Sequence, residues 1–170
     1  MLAAALQLVS LVALLAGRAT GFSLSVPPTP SPIITARAFY DAWNQGDTAA
    51  ASALLAPDVI FFDANNSEPF RGRRETSQYL ADCTEALGGL QFVIDDWSED
   101  LPRRRLGLMW HVTDAQSNPL PFPTKGVSFL KFDESGLILE CTDIPEPTVK
   151  VGKLQLPLLG TVTKLLGLRA

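Results

Sequence analysis

The carboxylate of Asp63 occupies a position in the sequence that raises a chemical question. It ends the apolar run of residues 59–62 and precedes a polar loop at residues 65–67. One interpretation is a strand-end carboxylate that accepts hydrogen bonds from this loop. The other is a group that projects into an apolar cavity, where burial raises the pKa of a carboxyl and suits it to general base catalysis near neutral pH. The local sequence leaves both open.

The chain offers little for metal or thiol chemistry. Its two cysteines, Cys83 and Cys141, are far apart, and His111 is its one histidine. A structural zinc site needs about four nitrogen or sulfur ligands, so no metal or other cofactor is predicted. Spacing alone does not reveal a disulfide, and two free thiols are favoured. Cys141 has no evident cationic neighbour, which predicts an inert thiol.

Composition limits the class of protein. With 170 residues, 46% hydrophobic and 19% charged, the chain is long enough for one domain with tails. Its formal net charge of -4 provides no broad basic field, so no nucleic-acid partner is expected. The run of three arginines at residues 103–105 is interpreted as a solvated turn.

The N-terminal segment has the pattern of a targeting signal. Residues 1–21 form an apolar stretch that ends in small residues, as in a signal peptide; a membrane anchor is the alternative. Residues 22–32 are rich in Ser and Pro and contain no acidic residue, which predicts a linker or a second targeting element. The two segments together resemble a bipartite plastid presequence. The predicted location is therefore a plastid, with secretion as the alternative.

The elements that must position Asp63 begin with helices. Apolar residues recur at helical spacing over 33–43, with Ile34, Ala38, Phe39 and Trp43 predicted on the buried face. A short alanine-rich helix over 49–55 follows, and Asp47 or Thr48 is its predicted cap. A strand over 59–63 and a third helix over 74–87 complete this half.

The second half changes to alternating patterns typical of strands. These cover residues 90–97, 105–113, 126–132 and 137–144, and a turn joins the last two. In the second strand Trp110 lies with the apolar set, whereas Met109 and His111 lie on the other face, so His111 is predicted outside. Helices followed by antiparallel strands predict an α+β domain, a cone-shaped curved sheet covered by three helices around an internal pocket. Phe39, Trp43, Phe61 and Trp110 are predicted core or pocket-lining residues.

A tail at residues 148–170 lies beyond the strands. Its apolar residues at 158, 159, 162, 165 and 166 predict an amphipathic, basic helix. Packing back over the sheet or the pocket mouth is the first interpretation. Weak membrane-surface contact through 158–168 and dimerisation are the others.

Four stretches in fixed order resemble the nuclear transport factor 2-like superfamily, in particular its SnoaL-like and ketosteroid-isomerase-like branch. They are AFYDAWNQGD (38–47), LLAPDVIFFD (54–63), PFRGRRE (69–75) and GVSFLKFDESGLILECTDI (126–144). Together they extend over nearly all of residues 33–147. Three further stretches, WHV (110–112), PFPTKG (121–126) and PEPTVKVGKLQLPLL (145–159), also resemble plastid members from photosynthetic organisms.

The resemblance to ketosteroid isomerases implies a role for Asp63. Counted along the motifs, the family's general base falls on Asp63, its oxyanion-hole tyrosine on Phe39 and its protonated aspartic acid on Ser128. This chain therefore has a carboxylate at the position of the family's base, but it lacks both of the family's strong hydrogen-bond donors. Removing one such donor costs about 100-fold or more in rate, so a steroid-type isomerase is disfavoured, although Ser128 can offer one neutral hydrogen bond.

The resemblance to SnoaL-like cyclases implies a role for Asp143. These enzymes use an acidic residue in the last strands, and matching this strand to the family places Leu139, Cys141 and Asp143 inside the cone. Leu130 shares the inward face of its strand with Ser128. A position near the rim is the alternative for Asp143.

Three hypotheses of function follow. The first is a SnoaL-like protein that binds a small apolar molecule in its pocket and has no assigned activity. The second is a cyclase, isomerase or dehydratase with Asp63 as base, assisted by Asp143 or Ser128. The third is an interaction or homodimerisation module that uses the outer face of the sheet.

Overall fold

The structure, a computed structural model, describes residues 29–120, 124–147 and 152–165. The predicted signal peptide (1–21) and most of the predicted linker (22–32) lie outside the described residues. Six strands form one open, curved sheet in the order β2-β1-β6-β5-β4-β3. They are β1 (Leu55–Asp63), β2 (Phe70–Arg71), β3 (Gln91–Asp100), β4 (Arg105–Thr113), β5 (Lys125–Phe132) and β6 (Ile138–Pro145).

Helix α1 (Pro32–Asn44) begins with a proline, whose fixed φ suits the first helical turn. The prediction that Ile34 and Ala38 face the core is wrong, because both are exposed. The buried face is rotated toward the large aromatic side chains, which fill the concavity of the sheet. The buried stripe includes Ile33, Ala36, Phe39, Tyr40 and Trp43.

Two more helices complete the layer on the concave side of the sheet. In α2 (Thr48–Ala53) the side chain of Asp47 accepts a hydrogen bond from the Ala50 amide at 2.9 Å, so Asp47 is the cap. The predicted continuation of this helix to residue 55 is wrong. Leu55 is instead fully buried and pairs with Ile138, so sheet pairing overrides the helical propensity of the alanine-rich run. The third helix, α3 (Gly72–Ala86), starts two residues before the predicted position.

The strand register brings the polar candidates into one row. Strand β1 runs parallel to β6, and Asp63 pairs with Asp143. Strand β6 runs antiparallel to β5, and Asp143 also pairs with Ser128. Paired residues point to the same face of a sheet, and adjacent strands are about 4.8 Å apart. The three side chains are therefore neighbours on the concave face.

A β-bulge changes the predicted face at the start of β6. Phe132 pairs with Ile138, whereas Lys131 pairs with Glu140, so Leu139 is the extra residue. The prediction that Leu139 shares the buried face of Cys141 is therefore wrong. Ile138 is fully buried there and Leu139 is only half-buried.

The outer face of the sheet is open. Met109, Phe129 and Ile144 are each more than 40% exposed. His111 lies on this face, as predicted, with Nδ1 2.8 Å from Oδ1 of Asp95. Use of this face for dimerisation or for another partner stays a prediction.

The tail forms a short 3₁₀ turn (Gly152–Leu154) and helix α4 (Gln155–Leu165). The interpretation that its apolar residues pack back on the domain is wrong for the described part, because they are 41–82% exposed. Leu166 and the rest of the tail lie outside the described residues. No helix among the described residues is long and apolar enough to cross a membrane.

Candidate functional site

A cavity of about 310 Å³ lies between the concave face of the sheet and helices α1 and α3. Its wall is largely apolar, with Trp43, Phe92, Trp110 and Val112 among its residues, and Asp63 and Asp143 also line it. An apolar cleft with a few convergent polar groups is the usual form of a small-molecule site.

Two packing features of the aromatic residues shape this wall. Trp43, near the end of α1, stacks on Phe92 of β3 with ring centroids 4.7 Å apart. Trp110 lies flat over Gly126 on the neighbouring strand, where an added Cβ would be 2.3 Å from the indole ring. Glycine at 126 therefore admits the Trp110 ring to the cavity wall.

Two side chains donate hydrogen bonds to one oxygen of the buried Asp143 carboxyl. Its Oδ1 accepts hydrogen bonds from Ser128 Oγ at 2.5 Å and from Cys141 Sγ at 3.4 Å. Burial, and more weakly the negative charge of Asp63, raises the pKa of Asp143 to about 6, although the bonds from Ser128 and Cys141 oppose this rise. The rim position considered for Asp143 is wrong, since the residue is only 7% exposed.

The carboxylate of Asp63 is half-buried and satisfied on both oxygens. Oδ1 accepts from the Asn65 amide at 2.7 Å, and Oδ2 accepts from the Tyr79 hydroxyl at 2.5 Å. Tyr79 is itself stacked on Phe70, with ring centroids 4.1 Å apart. Asp63 therefore bonds the loop, as the first interpretation predicts, and it also lines the cavity. Its role as a general base stays a prediction.

A buried tyrosine that sequence reasoning missed supports Ser128. The Tyr40 hydroxyl lies 3.0 Å from Ser128 Oγ, and Trp110 Nε1 donates to the same oxygen at 2.8 Å. Phe39, the position matched to the family's tyrosine, is a core side chain. A helical stripe through Ala36, Tyr40 and Trp43 would have indicated the buried tyrosine.

The second missed residue is Tyr79. Its helix runs beside β1, and nothing in the local sequence indicates that this hydroxyl reaches Asp63 sixteen residues away. Burial and the bond to Asp63 raise the pKa of Tyr79, so it remains a donor.

The predicted pocket-lining set divides into two groups. Trp43 and Trp110 line the cavity. The other four are enclosed in the core next to it, because the helices press against the sheet there. These four are Phe39, Phe61, Leu130 and Cys141.

Both cysteines are free thiols, as expected. Burial and the neighbouring Asp143 raise the pKa of Cys141, which keeps it protonated. Within the described ranges, no three His, Cys, Asp or Glu side chains are placed to hold a metal ion.

Comparisons with known proteins agree with this architecture. The sequence profile of the SnoaL-like domain matches residues 36–141, more than half of the chain. A search of curated proteins finds no match.

Solved structures share the fold. A protein of unknown function with a cystatin-like fold from Methylobium petroleophilum PM1 is 25% identical, with a TM-score of 0.58 over 74% of this chain and 85% of that one. A candidate ketosteroid isomerase from Kribbella flavida is 24% identical, with a TM-score of 0.56 and the same coverage. A candidate polyketide cyclase from Sinorhizobium meliloti is 15% identical, with a TM-score of 0.54 over 65% and 93%.

Proposed function

Because this chain belongs to the SnoaL-like domain family, we propose that it binds a small, largely apolar molecule in the cavity between its helices and the concave face of its sheet. The observation that carries the proposal is an accessible, largely apolar cavity that both Asp63 and Asp143 line. Such a site buries the apolar body of a ligand and orients one polar head group toward the carboxyls.

Blocking the cavity tests the proposal. Val112 lies on the inner face of β4, is 8% exposed and lines the cavity. Val112→Phe fills part of the space, and we expect it to weaken binding of a naphthalene-sized probe at least tenfold in calorimetry. Met109→Phe, on the outer face of the same strand, is the matched control and leaves binding unchanged. Equal affinity in the wild type and in a folded Val112→Phe variant would refute the proposal.

A second candidate function is acid–base catalysis of the cyclase, isomerase or dehydratase type. One observation favours it: two carboxyls with different hydrogen-bond partners face one cavity. Asp63, as the carboxylate, would take a proton next to a carbonyl, and Asp143, as the acid, would donate to the carbonyl oxygen. Two of the structural neighbours are named for isomerase and cyclase activities.

Proton exchange measures this activity without a known substrate. A ketone such as 2-acetylnaphthalene is incubated with the protein in D₂O, and deuterium in its methyl group is followed by NMR. We expect the protein to accelerate exchange and Asp63→Asn to abolish the acceleration while affinity changes little. A rate equal to buffer alone would exclude this second function and leave the binding proposal intact.

A further inference from the structure

The two oxygens of Asp143 have different surroundings. Oδ1 accepts from Ser128 and Cys141. Oδ2 has no hydrogen-bond partner among the residues that the structure describes. In that same part of the chain, no fully enclosed side-chain oxygen or nitrogen lacks a partner, and Asp143 lines the cavity. Oδ2 is therefore the oxygen that a ligand can reach.

The hydroxyl of Ser128 fixes the direction of the hydrogen bonds that link Tyr40, Ser128 and Asp143. Trp110 Nε1 can only donate, and it occupies one lone pair of Ser128 Oγ at 2.8 Å. The single hydroxyl proton of Ser128 goes to Asp143 Oδ1. The remaining lone pair accepts from the Tyr40 hydroxyl at 3.0 Å. The donor order is therefore Tyr40 to Ser128 to Asp143.

This donor order is incompatible with a proton on Oδ1 of Asp143. If Oδ1 carried the proton, Ser128 would have to accept it and donate to Tyr40 instead. The proton of the fully buried Tyr40 hydroxyl would then have no acceptor among the described residues, an arrangement that folded proteins avoid. A proton taken up by Asp143 therefore belongs on Oδ2, facing the cavity.

We propose that Asp143 Oδ2 selects the ligand head group according to pH, and that Tyr40 and Ser128 are the positioning residues that direct its proton into the cavity. With the proton present, Oδ2 donates a hydrogen bond to an acceptor-only oxygen such as that of a ketone. Without it, Oδ2 is an anion that disfavours the same oxygen. This inference rests on the proposed binding function and names the ligand class as neutral, apolar molecules with one acceptor oxygen.

The surroundings of Asp143 explain why this residue is the group that titrates in the proposal. Burial, then the charge of Asp63, raises the pKa of Asp143 to about 6, against the bond from Ser128. Burial also raises the pKa of the nearby tyrosines and cysteines, which stay neutral over the same range. The titratable and charged groups around Asp143 and the cavity are Asp63 on β1, Tyr40 on α1, Tyr79 and Cys83 on α3, Lys125 on β5, and Cys141 and Glu146 on and after β6.

Two probes of the same shape test the inference. 2-Acetylnaphthalene has a carbonyl oxygen where 2-isopropenylnaphthalene has a methylene group. We expect the full-length protein to prefer the ketone below about pH 6 and to lose roughly tenfold of that preference by about pH 7.5, as the hydrogen bond is replaced by an ionised carboxylate. The affinity for the alkene changes little with pH. The carbonyl stretch of the bound ketone shifts to lower frequency only at the acidic end.

Variants separate titration from positioning. Asp143→Asn keeps a donor toward the cavity at all pH, so the ketone preference persists and its pH dependence disappears. Ser128→Ala removes a bond that favours the anion and moves the midpoint of the pH profile upward. Tyr40→Phe removes only the bond that polarises Ser128 and moves the midpoint in the same direction by less. Thr35→Val, at a buried residue of the same helix, is the control and leaves the midpoint in place.

The outcomes are distinct. Binding of both probes with a pH-independent ratio, or a pH dependence that survives in Asp143→Asn, overturns this inference and leaves the binding proposal standing. A midpoint unmoved in folded Tyr40→Phe and Ser128→Ala removes the positioning role. Failure of both probes to bind at any pH overturns the binding proposal together with this inference.

Discussion

Asp63 and Asp143 lie opposite each other on neighbouring strands, but their surroundings differ. Asp63 is half-buried and receives one donor on each oxygen, from a loop amide and from Tyr79. Asp143 is buried, receives both of its donors on one oxygen and leaves the other toward the cavity. In the second arrangement, burial raises the pKa of the Asp143 carboxyl to about 6. Identical residues in register thus gain different chemistry from the elements that supply their partners.

Removing the Ser128 hydroxyl, which donates to Asp143, is expected to have the largest effect on the free energy of unfolding. Ser128→Ala leaves the Trp110 N–H and the Tyr40 hydroxyl without their buried acceptor. Each unsatisfied donor costs about 1–3 kcal/mol, so we expect a loss of roughly 3–4 kcal/mol in the free energy of unfolding, measured by urea denaturation at pH 7. Ser98→Ala, an exposed serine on β3, serves as the control. A loss below about 1 kcal/mol would mean that the hydrogen bonds to Ser128 contribute little to stability.

Replacing the buried carboxyl itself is expected to stabilise the protein. A carboxyl with a raised pKa in the folded state contributes stability that is full below the unfolded pKa of 3.8 and is lost as pH rises to about 6. That rise of about two pKa units corresponds to roughly 2–3 kcal/mol. We therefore expect Asp143→Asn to gain this amount at pH 7 and almost nothing near pH 4, as measured by denaturation at both pH values.

An exposed carboxyl on the same strand is the control for this gain. Glu140 forms an ion pair with Lys131 on the outer face at 2.7 Å. Glu140→Gln should change stability by about 0.5 kcal/mol or less at either pH. Equal shifts in the two variants would show that burial of Asp143 is not the cause.

The opposite sign is expected, with a smaller size, for Asp63→Asn. This change weakens the bond from Tyr79 and leaves an amide nitrogen facing one of the two donors. We expect a loss of about 1 kcal/mol in the free energy of unfolding at pH 7. A gain comparable to that of Asp143→Asn would mean that the two carboxyls are equivalent and that the contrast between them is wrong.

Several features of the fold followed from the sequence because they depend on local periodicity. Alternation in residues 105–113 separated Trp110 from His111 correctly, and Asp47, the observed cap of α2, was one of the two predicted caps. Errors occurred where a long-range contact decided the outcome. Leu55 was predicted to be helical but lies in β1, because it pairs with Ile138. Leu139 was predicted on the buried face of β6 but is not there, because a bulge between β5 and β6 shifts the register.

The candidate site shows the same division. The approximate positions of Asp63, Asp143 and Ser128 followed from a resemblance to a family, since strand ends and periods carry over. Tyr40 and Tyr79 were missed because they come from helices and act across 88 and 16 residues of sequence. A donor's contribution depends on which oxygen it reaches, and no sequence spacing contains that distance.

The sequence by itself determined the family, the order of helices and strands, and the presence of acidic residues at two strand ends, because periodicity and motif order are properties of the chain. Tertiary structure alone decided that the two acids share one cavity, that burial raises the pKa of Asp143, and that both donors to Asp143 meet on one of its oxygens. The reason is that pKa and hydrogen-bond direction depend on burial and on partners from α1, α3 and four strands, which meet only in the folded state.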